Sequence, residues 1–170
     1  MKYIVMLGIC LAMIVRSSEA QVTAATLQAS GLTCALCAKS IYTNLSALPF
    51  VDSVDTDLNA SSFLMKFKTG TAVDPDMIRK KVEDAGFSVS MMQLDFMLTK
   101  GNIENDNLIK GYGRNYEIVG GKPNRTEGMV KLQVVEKNFL SPKDYKKLAA
   151  SLKLDAKEAS DQFIRVRIIK

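Results

Sequence analysis

Gly31-Leu32-Thr33-Cys34-Ala35-Leu36-Cys37-Ala38 sets two cysteines three positions apart. The run lies where a strand-like segment (residues 22–30) gives way to helical spacing at Ile41, Leu45 and Leu48. With Cys37 in the first helical turn and Cys34 just before it, both sulfurs fall on one side, because i and i+3 are neighbours there. A helix N-terminus carries unpaired N–H groups and a partial positive charge, which favour thiolate over thiol. The end of a helix contributes roughly 0.3–1 kcal/mol, whereas one pKa unit costs about 1.36 kcal/mol. The dipole alone therefore lowers a thiol by less than about one unit, and a bound metal ion must supply the rest of the deprotonation.

The ligand set narrows the ion. The chain has no histidine and three cysteines, of which Cys10 lies in an apolar leader. A structural zinc site takes four ligands, usually cysteine and histidine, and these are not at hand. Two thiolates suit a soft ion of low coordination number, with Cu(I) ahead of Hg(II). Taken alone, the CxxC spacing also fits a redox pair, half a zinc site, or chance.

The flanking residues raise the odds of the metal reading. Gly31-Leu32-Thr33-Cys34-Ala35-Leu36-Cys37, followed about fifty residues on by Asp84-Ala85-Gly86-Phe87, resembles the heavy-metal-associated domain. Copper chaperones, the metal-binding modules of metal-pumping ATPases and the periplasmic mercury-binding protein share that family. Leu32 stands where the family has methionine, an apolar exchange of similar size. The resemblance runs from about residue 22 to residue 96. It implies a ferredoxin-like βαββαβ fold, metal held by Cys34 and Cys37, and Phe87 packed near the metal loop.

The remaining signals fit that order. Strands are expected over Val51–Asp57 and residues 62–68, with a turn at 58–61 in which Asn59 takes positive φ. In the second of these, Phe63, Met65 and Phe67 share a face. Asp74-Pro75 reads as the cap and first residue of a second helix, with Met77, Ile78, Val82 and Ala85 as its buried stripe and Gly86 as its stop. A fourth strand covers residues 88–96. Met91, Met92 and Met97 are read as gap-filling core residues rather than thioether ligands, and Thr33 as a residue that orders the loop.

Three parts are expected along the chain. Residues 1–20 read as a secretory signal peptide, with Lys2, an apolar run too short to span a bilayer, and Ser18-Glu19-Ala20 as the cleavage site. Residues 21–98 form the metal domain. Residues 99–170 form a small α+β unit of unknown family, after a polar linker at 99–107. Strands are expected over 115–119, 129–136 and 162–169, and a helix starts at Ser141-Pro142. Its face is Tyr145, Leu148, Ala149 and Leu152. Charge divides along the same line. Residues 21–98 hold six Lys and Arg against eight Asp and Glu, and residues 99–170 hold fifteen against nine.

The fold class is thus α+β. The function expected is an exported, non-enzymatic carrier or scavenger of a soft metal ion, periplasmic or extracellular. Its candidate partners are a metal-transporting membrane protein or another exported metal protein; no nucleic-acid partner is expected. Two other readings stand beside it. One is a thiol–disulfide oxidoreductase, disfavoured because no aromatic precedes Cys34 and no proline separates the cysteines. The other is a metal-sensing docking module in which residues 99–170 carry the main role.

Overall fold

The computed structural model describes residues 19–105, 107–123, 126–152, 154 and 163–169. Most of the expected leader, residues 1–18, lies outside them.

The first half follows the expected order: β1 (Gln21–Ser30), α1 (Ala35–Ser46), β2 (Val51–Asp57), β3 (Ser62–Phe67), α2 (Pro75–Asp84) and β4 (Ser88–Leu98). Helix α1 closes at Ser46, with Ala47 as its cap, two residues before the expected end. Leu48 precedes Pro49, and a residue in that position is pushed out of the helical region. Helix α2 starts as the sequence indicates: the Asp74 carboxylate accepts the Asp76 N–H at 2.9 Å and Pro75 opens the first turn. Ile78 and Val82 are fully buried, but Met77, expected in the same stripe, is 42% exposed. It sits about 100° round the helix from Ile78, and the stripe runs through Pro75, Ile78 and Val82 instead. The β2–β3 turn also differs in detail. Asp57 Oδ1 accepts the N–H groups of Asn59 and Ala60, and the positive φ falls on Ser61 rather than Asn59.

The second half adds β5 (Ile103–Glu104), β6 (Leu108–Gly111), β7 (Arg114–Ile118), β8 (Gly128–Val134), a 3₁₀ turn (Lys137–Phe139), α3 (Pro142–Leu152) and β9 (Phe163–Ile168). Within the stretch read as a polar linker, 99–107, residues 99–102 are a built turn and Ile103–Glu104 is strand β5. Asn102 is buried, and its Oδ1 accepts from the N–H and hydroxyl of Thr99 at 2.6 and 2.8 Å. Its asparagines and glycine read as loop because polarity hides a side chain that serves the backbone.

All nine strands join one sheet in the order β2-β3-β1-β4-β8-β9-β7-β6-β5. The first four positions are the arrangement of the ferredoxin-like βαββαβ unit. Strand β8 then pairs antiparallel with β4, from Gln93↔Gln133 to Leu98↔Gly128. The sheet therefore runs without a break past residue 98.

Beyond β4 the sheet curls. Phe96 on β4 and Tyr116 on β7 are three strand steps apart. A flat sheet with a strand spacing of about 4.8 Å would separate them by roughly 14 Å. Their ring centroids instead lie 4.8 Å apart, edge to face. The curl is completed at Ala20, which bridges Gly111 of β6: Ala20 N–H donates to Lys110 O at 2.9 Å, and Tyr112 N–H donates to Ala20 O at 3.0 Å. Ala20 is fully buried. Cleavage at the expected junction after Ala20 would remove this bridge and leave β1 whole.

One apolar core runs through both halves. Leu27, Ile41, Phe63, Ile78, Phe96, Tyr116, Leu132 and Val166 belong to the same buried cluster. Arg79 and Arg114 fasten the halves at its rim. Asp76 on α2 receives Arg114 Nη2 from β7 at 3.0 Å and Arg79 Nε at 3.5 Å, while the Arg79 guanidinium stands 5.9 Å over the Phe139 ring. Helix α3 lies across the other face, above a groove of about 460 Å³ lined in part by Gln28, Met91, Gln133 and Arg167.

Candidate metal centre

The loop from β1 to α1 is anchored at both ends. Gly31 turns the chain with φ +78°, a conformation that L side chains disfavour. Leu32 packs against the core, so the leucine in place of the usual methionine does the apolar work expected of it. Thr33 is exposed.

Cys34 is the N-cap of α1, with extended backbone (φ −141°, ψ 152°). Its Sγ accepts the Cys37 N–H at 3.2 Å, and its carbonyl accepts the Ala38 N–H at 3.1 Å. A sulfur thus occupies the position that a serine or aspartate oxygen fills in ordinary caps. The first turn of α1 holds no acidic residue, so no carboxylate of that turn offsets the positive end of the helix. Helix α2 is built the opposite way, with Asp74 as cap and Asp76 in its first turn.

The two cysteines are joined as a disulfide, with Cα atoms 5.3 Å apart. Cys34 is exposed and Cys37 partly so. Leu36, between them, is 80% exposed. Along α1 a shallow groove of about 270 Å³ is lined by Ala35, Ala38, Lys39, Tyr42, Thr56 and Leu58. Tyr42 and Leu58 are exposed apolar side chains. Sequence reasoning missed this border, which no local sequence signal discloses.

Gly86 (φ +87°) ends α2, and Phe87 N–H returns to Val82 O at 3.1 Å. Phe87 is half-buried against the core, the packing role that its aromatic ring favours. Among the described residues no cluster of three or more His, Cys, Asp or Glu is placed to hold a metal ion.

The family model of the heavy-metal-associated domain matches residues 26–88. The chain belongs to that family. The matched span begins inside β1 and ends on the first residue of β4, so the heavy-metal-associated domain is the first half of the fold. The yeast copper transporter domain Ccc2a, solved in apo and Cu(I)-loaded states, is 31% identical over 38% of this chain and 88% of its own, with a TM-score of 0.35. The N-terminal domain of PacS from Synechocystis is 27% identical over 39% and 91%, with a TM-score of 0.34. Oxidized MerP from Ralstonia metallidurans is 23% identical over 41% and 94%, with a TM-score of 0.37. Among curated proteins, none matches the chain significantly.

Proposed function

We propose that this heavy-metal-associated domain binds one soft metal ion, Cu(I) before Hg(II), between Cys34 and Cys37, and that the protein carries or sequesters it outside the cytoplasm without catalysing a reaction. The observation that carries this is the placement of the pair. Two sulfurs stand side by side at the N-terminus of α1, whose first turn holds no acidic residue, with a backbone N–H already directed at one of them. Soft thiolates select Cu(I) and its neighbours. The exported leader read from residues 1–20 supports the location.

The disulfide withholds both ligands, so an external dithiol must first reduce it by thiol–disulfide exchange, itself becoming a disulfide as Cys34 and Cys37 gain two electrons and two protons. Once reduced, Cys34 in the loop and Cys37 on the helix hold the ion at low coordination. An incoming thiolate enters the open position, forms a sulfur–metal bond, and displaces one of the two. Leu36, Tyr42 and Leu58 offer an apolar border against which a metal-transporting membrane protein, or another exported metal protein, would seat during that exchange.

A Cu(I) competition titration of the reduced protein tests the assignment. Cys34→Ser or Cys37→Ser should lower affinity by orders of magnitude. Unchanged affinity in either variant would refute it.

The disulfide itself favours the second reading, a thiol–disulfide oxidoreductase. Insulin reduction by the metal-free protein separates the two, with strong turnover supporting the oxidoreductase.

A further inference from the structure

Methionine in a sheet is ordinarily core filler, and Met65 and Met92 are fully buried as that rule requires. Met97 and Met129 break it. They are 41% and 47% exposed, and they are direct partners in the β4–β8 ladder. Residues opposite one another in an antiparallel pair share a face, with Cβ atoms about 4.5–5.5 Å apart. That face is the outer one, since their strand neighbours Phe96 and Leu98 are buried.

The adjoining rows on the same two strands are polar. Asp95 faces Lys131, with Lys131 Nζ 3.8 Å from the carboxylate, and Gln93 faces Gln133. The methionine pair is thus an apolar step at the end of a polar stripe, open to water on one side. Packing does not account for two flexible, weakly strand-forming side chains placed opposite each other in solvent; valine, isoleucine or threonine suit such a position better. Their shared chemical property is the thioether sulfur, a neutral soft donor.

We propose that Met97 and Met129 form a second soft-metal site that takes a monovalent cation, Cu(I) or Ag(I), between two thioethers. Such ligands select Cu(I) over hard cations. They need no deprotonation, so binding there is insensitive to pH across the range in which thiolate sites weaken. They also form no disulfide, so the site stays available when Cys34 and Cys37 are joined. The protein then keeps a labile hold on the ion under oxidising conditions that close the cysteine pair.

The test uses the full chain carrying Cys10→Ser, Cys34→Ser and Cys37→Ser, titrated with Ag(I) alone and followed by the methyl resonances of its methionines. The Met97 and Met129 methyl groups should shift together and saturate at one ion per chain, while Met77, which is equally exposed but solitary, stays in place. Adding Met97→Leu and Met129→Leu should weaken Ag(I) binding at least tenfold. Leucine preserves size and apolar contact, so a packing role alone would leave the titration unmoved. Shifts spread evenly over Met77, Met91, Met97 and Met129, or an affinity indifferent to the leucine variants, would overturn the proposal. The cysteines are absent from every arm, so this outcome is independent of the competition titration on the reduced wild type.

Discussion

Replacing Glu136 by alanine should destabilise the protein by about 3 kcal/mol. Glu136 stands just past β8, and its side chain and that of Arg165 on β9 are only 11% and 12% exposed. Oε1 accepts the Arg165 backbone N–H at 3.0 Å and Nε–H at 2.9 Å, and Oε2 accepts from Nη2 at 2.8 Å. These bonds hold the Arg165 guanidinium above its ordinary pKa, against the opposing effect of its partial burial. Removing one partner of a buried pair costs roughly 3–5 kcal/mol, because the remaining charge loses its compensation. The low end applies here, since a sliver of each side chain meets water. Glu136→Gln keeps an oxygen for the backbone N–H but turns an amide donor toward the Nη2 donor, and should cost about 2 kcal/mol by the loss of charge-assisted bonds. Urea unfolding followed by far-ultraviolet circular dichroism measures both. With a slope of about 2 kcal/mol/M, the alanine variant should unfold about 1.5 M earlier. A single transition is expected in each case, because one buried cluster spans both halves. A cost below about 1 kcal/mol would show that the pair is solvated like an ordinary surface ion pair and would refute the reasoning.

Tyr116→Phe should be neutral or stabilising, by up to about 1 kcal/mol, since the buried hydroxyl has no hydrogen-bond partner among the described residues and its desolvation is uncompensated. Burial pushes the Tyr116 phenol well above its ordinary pKa. Above about pH 10 the unfolded chain ionises this group while the folded one does not, so wild-type stability should fall with rising pH there and the phenylalanine variant should fall less steeply; alkaline melts of the two compare this directly. Asp74→Ala removes the side-chain cap of α2 and should cost about 1 kcal/mol in the same urea assay. A cost near zero would mean that Pro75 alone fixes the helix start.

Local signals made the first half legible. Asp74-Pro75, Gly86 and the alternation of Phe63, Met65 and Phe67 each act within a few residues, and each marks an observed boundary or face. The final strand was readable for the same reason: Ile164 and Val166 are buried, with Arg165 and Arg167 on the opposite face. What escaped was non-local. Nothing near Leu98 announces that β4 pairs with β8, because the partner residues lie thirty to forty positions away. Asn102 looked like loop because its polarity serves Thr99 rather than solvent. Cys34 and Cys37 were legible as a pair from spacing alone. The exposed apolar border at Tyr42 and Leu58 needed the β2–β3 turn to be folded against α1, which no local pattern encodes. Met129 drew no attention in the sequence, since its significance arises only from standing opposite Met97.

The union of β4 with β8 has a practical corollary for anyone who would excise the metal-binding half. A fragment cut after Leu98 would bare the hydrogen-bonding groups along Gln93–Leu98 that β8 now satisfies. It would also strip the cover from Phe96 and Leu94. Such a raw margin invites self-association. The shortened piece would be a stickier molecule than its parent, and metal titrations performed on it would report on clumped material.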